Sequence, residues 1–245
     1  MTGQARVEIV DDPGSSAYRR YLSIFVGRPG ILALVKYELI ASFLGPMRGA
    51  PGYFLRSRLW PLVLGAVGRG TQFGRNVVLR SPHRIRLGSN VLIDDNVVLD
   101  AKGKKSAIEL GDRILVGRHS IISCNEAEIR MGDMLSIGPF CFFGSKSFIR
   151  IGSGVSISGH TSVLAGSHAS DDPERSVLEQ ERTSIGITIE DNVWIGACCT
   201  ILDGVRLGRS CIVASGTVVM KDVPAYSVVA GNPARLVQRR KAVGE

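Results

Sequence analysis

Four histidines supply the acid–base capacity of this 245-residue chain near neutral pH: His83, His119, His160 and His168. His83 lies in the turn-like stretch Ser81-Pro82-His83-Arg84, and a surface position is expected for it. His119 and His160 each follow an aliphatic residue, Val116 or Ile157, by three positions within a short repeating pattern. His168 stands where that pattern stops, ahead of the polar run Ala169-Ser170-Asp171-Asp172-Pro173-Glu174-Arg175. An imidazole can take a proton from a weakly acidic group and return it. A polar loop beside it supplies groups for a second reactant, and Asp171 and Asp172 are the carboxylates available to orient the ring or contact a ligand. A three-histidine metal centre is disfavoured because His160 and His168 are eight residues apart and the others fall on different repeats. Cys124, Cys141, Cys198, Cys199 and Cys211 follow no zinc spacing, so no metal is expected.

Such residues need a scaffold, and the chain from Val67 to Val219 repeats every six residues. Aliphatic or aromatic anchors recur in threes: Val67, Phe73, Leu79; Leu87, Ile93, Leu99; Leu110, Val116, Ile122. They continue at Met131, Ile137, Phe143; Ile151, Ile157, Val163; Ile189, Ile195, Ile201; Leu207, Val213, Val219. The position after each anchor is mostly Gly, Asp, Ser or Ala, and the fourth is mostly small or β-branched. A period of six matches neither the 3.6 of a helix nor the 2 of a strand. It predicts an all-β coil with three flat faces, anchors and fourth positions pointing inward, stacked as parallel strands about 4.8 Å apart. Seven groups of three anchors predict about seven coils. The one large interruption follows the fifth, where 26 residues separate Val163 from Ile189.

Elsewhere the chain is less regular. Residues 1–66 read as an N-terminal extension, a polar tail followed by a helical segment with Ile31, Leu34, Val35 and Leu39 at helical spacing. The apolar stretch Ile31 to Leu44 is too short to cross a bilayer, and the first residues lack the pattern of a secretory leader. Residues 67–234 form the repeat domain with an inserted loop at 169–184, and 235–245 a basic tail. The formal net charge of +8 admits nucleic acid, an anionic membrane surface or a phosphorylated ligand. No recognition motif accompanies the scattered arginines, so nucleic acid is not expected. Basic and aromatic residues in the N-terminal segment make it a candidate for peripheral membrane contact, alongside the plainer roles of covering the end of the repeat or packing against a neighbouring subunit. Unpatterned cysteines suit a reduced, cytoplasmic setting.

The repeat, Asp191-Asn192-Val193-Trp194-Ile195-Gly196, Val218-Val219-Met220-Lys221-Asp222-Val223-Pro224 and Gly231-Asn232-Pro233-Ala234-Arg235 together resemble the hexapeptide-repeat acyltransferases. The likeness runs from about Val67 to Arg240 and is strongest to sugar O-acetyltransferases of polysaccharide biosynthesis and to maltose and galactoside acetyltransferases. It implies a left-handed parallel β-helix, a homotrimer, and acetyl-coenzyme A bound between neighbouring helices. It also implies His168 as the base, because related enzymes place a histidine just ahead of an acidic, proline-containing loop; His160 is the second candidate for that role. Ala197, Ala214, Lys221 and Arg235 match coenzyme-lining positions. Trp194, Asp171 and Asp172 are the acceptor-side candidates. Two departures stand out: Met220 replaces a common threonine, and Gln238 a second arginine. The acceptor-orienting asparagine of the family has no counterpart in Ile137-Gly138-Pro139-Phe140-Cys141-Phe142.

The expected reaction is acetyl transfer from a thioester to a sugar hydroxyl, with a sugar or glycan as partner. An amino-sugar N-acetyltransferase and a non-catalytic trimeric scaffold are the alternatives.

Overall fold

The computed structural model describes residues 16–169 and 172–240. From Ala66 to Val219 the chain winds as a left-handed parallel β-helix of seven coils. The first coil contributes Ala66–Val67, Gln72–Phe73 and Val78–Arg80 to three separate sheets, and each later coil adds one strand to each. Register follows the anchors. Val67 pairs with Leu87, and Met131 with both Leu110 and Ile151. Phe143 pairs with Ile122 and Val163, and Ile195 with Ile157 and Val213.

Six-residue periodicity produces this because every face buries two positions and turns on the others. Every anchor except Val67 is buried. The fourth positions Val91, Val97, Cys141, Val155, Val193, Cys199 and Cys211 join them. Hydroxyls buried at the same positions are satisfied by backbone: Ser120 donates to Gly138 O at 3.0 Å, Thr161 to Gly196 O at 3.0 Å. A buried hydroxyl without a partner would destabilise the core, so this pairing is what lets polar residues share it. Burial pushes the Cys124 thiol up to about 11 and the Cys211 thiol up to about 12. These cysteines fill space and do not act as thiolates.

The edge between the second and third faces requires a left-handed residue in every coil. Asn76, Asn96, His119, Phe140, His160 and Cys198 all have φ between 54 and 60°, and Gly216 has 74°. The first two rungs and the last use residue types that tolerate this conformation; the middle four hold His, Phe, His and Cys there because the stacked coils fix the turn.

Among the described residues, three α-helices precede the coils: α1 (Ala17–Tyr21), α2 (Ile31–Leu44) and α3 (Gly49–Leu59). They close the open end of the β-helix. Trp60, Ile40, Leu44 and Leu64 merge with its core. Polar contacts lock the cap in place: Tyr37 donates to Leu79 O at 2.8 Å, and Asn76 N to Gly45 O at 2.8 Å. The buried Arg56 guanidinium donates to Phe73 O at 3.0 Å, Leu44 O at 3.2 Å and Met47 O at 2.6 Å. At the other end, Ser227–Ala230 continues the second sheet and Arg235–Arg239 folds back on it antiparallel.

Candidate active site

The insertion after the fifth coil leaves from the edge between the third and first faces. Ser167–His168 and Arg182–Thr183 form a short antiparallel ladder, with His168 opposite Arg182, and Ala169 N donates to Glu181 O at 2.8 Å. The base of this hairpin is tied to the coils. Ser184 Oγ donates to Ala165 O at 3.0 Å, and the Ile185 and Gly186 amides donate to the Asp203 carboxylate at 2.8 Å each. Its tip is tied internally through Gln180, which is 9% exposed. Gln180 Nε2 donates to Asp172 O at 2.9 Å and Arg175 O at 3.2 Å, while its Oε1 accepts from Asp172 N at 3.3 Å. Asp172 Oδ1 accepts from Glu174 N at 3.0 Å, a turn contact within the tip. Asp171 lies outside the described residues.

His168 is exposed at the mouth of a pocket of about 300 Å³. Ser123, Asn125, Lys146 and Arg182 provide its polar groups, and Phe142 and Leu164 its apolar wall. Asn125, Lys146 and Gly166 reach the pocket because they occupy one register: they follow Cys124, Ser145 and Ala165, which pair across the third, fourth and fifth coils. The pocket thus holds a group able to accept a proton, an amide able to donate and accept, and two cations. That combination suits deprotonation of a hydroxyl on an anionic or phosphorylated molecule. Sequence reasoning singled out His168 but missed Asn125, Lys146 and Arg182. The signal was available for two of them, since each sits three positions after a third-face anchor, Ile122 or Phe143.

The remaining candidates fall elsewhere. Lys221 and Arg235 line one groove of about 600 Å³ at the C-terminal end, together with Val223, Pro224, Pro233 and Leu236. Both are exposed. By topology Lys221 follows a third-face strand, so it lies on the same edge as His168, two coils on. Ala197 and Ala214 lie instead at the edge between the second and third faces. Ala197 N donates to Ser215 Oγ at 3.1 Å, and Gly216 N to Ala197 O at 2.8 Å. Space beside these backbones is narrow: a Cβ on Gly196 would meet Ser215 N at 2.6 Å. Trp194 points out from the second face, 51% exposed, paired in register with Ser156 and Ile212. None of these five residues lines the His168 pocket within one chain.

The other histidines are built into the frame. His119 and His160 lie on opposite sides of Phe140, with ring centroids at 4.8 and 5.0 Å and planes within 8°. His83 is not on the surface as its turn suggested; it is half-buried under the helical cap, and Arg84 Nε donates to its Nε2 at 3.1 Å. Burial first, then the nearby Arg28 and Arg84, lowers its pKa to about 4, so it is neutral at pH 7. Among the described residues no group of three or more His, Cys, Asp or Glu is arranged to hold a metal ion.

Comparison with known proteins agrees with this architecture. Residues 186–221 match the bacterial transferase hexapeptide family, six repeats. A protein of Mycobacterium tuberculosis named "Probable acetyltransferase" is 28% identical over 163 residues, covering 66% of this chain and 54% of the relative. The 2,3,4,5-tetrahydropyridine-2,6-dicarboxylate N-acetyltransferase of Staphylococcus aureus is 51% identical over 57 residues, 23% of this chain and 24% of that one. The chain therefore spans about half, or less, of the length of these relatives. A crystal structure of a variant of AntD, an N-acyltransferase from Bacillus cereus, in complex with dTDP-4-amino-4,6-dideoxyglucose and coenzyme A, shares the fold. Its TM-score is 0.55 at 19% identity, covering 76% of this chain and 89% of AntD.

Proposed function

We propose that this hexapeptide-repeat β-helix is an acetyl-coenzyme A-dependent O-acetyltransferase acting on a sugar hydroxyl, with His168 as general base. The observation that carries the reading is His168 itself, held by a two-residue ladder at the mouth of a polar pocket in the one long insertion of the scaffold. A sugar hydroxyl does not ionise alone at neutral pH. As its oxygen attacks the acetyl carbonyl, the imidazole takes the proton; as the coenzyme A thiolate departs, the imidazolium gives it back. Atoms and charge balance without a covalent enzyme intermediate. Asn125 is placed to hold the acceptor, and Lys146 and Arg182 favour an acceptor carrying a carboxylate or phosphate.

The chain's own residues fit the donor. Lys221 and Arg235 share a groove wide enough for a phosphorylated nucleotide end, and the small, partly exposed side chains of Ala197 and Ala214 let an extended pantetheine arm lie close to the chain. Because Ala197 and Ala214 lie across a face from His168, one chain does not unite them. A homotrimer, with each site assembled between two copies, supplies the missing edge. Asp172 and Trp194 are then proposed to meet the acceptor from the loop and from a neighbouring face, and Asp171 with them. The setting we propose is surface or exopolysaccharide synthesis on the cytoplasmic side.

N-acetylation is the second reading, with an amino sugar as the acceptor; the N-acetyltransferase named in the 51% match favours transfer to nitrogen, though that relative's own named acceptor is not a sugar. Mass spectrometry of products formed from acetyl-coenzyme A and a panel of nucleotide sugars and glycans separates the two. An ester labile to mild base supports the O-acetyl reading; a stable amide supports the other; no acetylated product with any acceptor contradicts both.

A further inference from the structure

The helix α2 is apolar on two sides. Tyr37, Ile40 and Leu44 face inward and are buried. Ile31, Val35, Leu39 and Phe43 recur at every fourth residue, the spacing that puts side chains on one face of a helix. They are 61, 45, 54 and 67% exposed, and Leu32 beside them is 83% exposed. A helix apolar on two sides needs apolar surroundings on two sides. The β-helix end provides one.

Charge identifies what provides the other. Residues 17–66 hold seven Lys or Arg against the single acid Glu38, so +6 of the chain's formal +8 lies in this cap. Glu38 is itself engaged by the Tyr21 hydroxyl. Two of the cations, Arg28 and Lys36, are exposed and line a cavity of about 110 Å³ whose walls include Val26, Ala33 and Leu62. Lys36 is one turn from Leu32, and Leu62 is 53% exposed, so cations and stripe converge at the start of α2.

We propose that the helical cap docks on an anionic phospholipid bilayer. In this arrangement α2 lies in the plane of the interface, with Leu32, Val35, Leu39 and Phe43 among the acyl chains and Arg28 and Lys36 at the level of the phosphates. Its 14 residues extend about 21 Å, short of the roughly 30 Å hydrocarbon layer, so it rests on the membrane and does not cross it. A second copy of the chain is a poorer occupant, because apposed caps would set +6 against +6. Anionic lipid offers opposite charge and an apolar layer together.

Flotation of the full chain with unilamellar vesicles tests this. The protein is expected to float with equimolar phosphatidylcholine and phosphatidylglycerol, to stay behind with phosphatidylcholine alone, and to be released by high salt. Leu32→Glu/Leu39→Glu and, independently, Arg28→Glu/Lys36→Glu should each weaken partitioning by about tenfold or more. Lys104→Glu, an exposed control in a turn of the coils, should not. All variants should keep their acetyl transfer to a soluble acceptor, so a failure of docking is distinguishable from a failure of the enzymatic reading. Failure of the unmodified protein to float with anionic vesicles overturns the proposal. So does flotation of Leu32→Glu/Leu39→Glu at the unmodified level. If that variant instead breaks a lipid-free oligomer in light scattering, the stripe is an interface between copies and the proposal also falls.

Discussion

His168 stands opposite Arg182 across a two-residue antiparallel ladder, and this pairing is what turns an irregular insertion into one wall of a pocket. The ladder survives because the hairpin is fastened at both ends, by Asp203 and Ser184 at the base and by Gln180 at the tip.

Gln180→Ala removes three hydrogen bonds from a buried side chain. The insertion should lose about 1–2 kcal/mol of local stability while the coils keep theirs. Limited proteolysis between 172 and 181 should accelerate, and acceptor KM should rise, with the thermal midpoint of the coils unchanged.

Lys221→Ala and Arg235→Ala each remove one cation from the C-terminal groove. Each should raise the KM for acetyl-coenzyme A about five- to tenfold with little change in kcat, the pattern of a lost binding contact. The difference should shrink with a donor analogue lacking the 3′-phosphate. Equal effects on kcat and on acceptor KM would place these residues elsewhere in the reaction.

Much of this was legible in the chain itself. The anchors from Phe73 to Val219 fixed the three faces and the strand register, because a period of six leaves one way to bury two positions per face. His168 was legible as the residue at which the period breaks. The stacking of Phe140 between His119 and His160 was not, since sequence places the rings on one edge but not their planes. Nor was the burial of His83, which depends on residues 26–28 packing over a turn that looks exposed when read alone. Arg182 escaped notice because only the folding back of the hairpin brings it beside His168.

His83 makes stability depend on pH. Its pKa is lowered to about 4 in the folded chain, below the ordinary histidine value, so the unfolded chain binds the extra proton first. Stability should therefore be fully present above about pH 6.5 and decline as pH falls from there toward about 4. His83→Gln should flatten this part of the profile, measured as the thermal midpoint against pH. An unchanged slope in the variant would assign the acid sensitivity to other groups.

Arg56 closes the cap by donating to three carbonyls, Phe73 O, Leu44 O and Met47 O. Arg56→Met keeps most of the packing volume but leaves these acceptors without the guanidinium, and should cost about 2–4 kcal/mol. Chemical denaturation should show the loss as a separate early transition of the helical cap, ahead of the coils.

The central claim rests on one imidazole. In steady-state assays with acetyl-coenzyme A and an accepted sugar, His168→Ala should lower kcat by about 10²- to 10⁴-fold, the usual contribution of a positioned general base. Coenzyme A affinity, measured by calorimetry, should remain the same. Acetyl transfer at the unmodified rate by a folded His168→Ala protein would contradict the account.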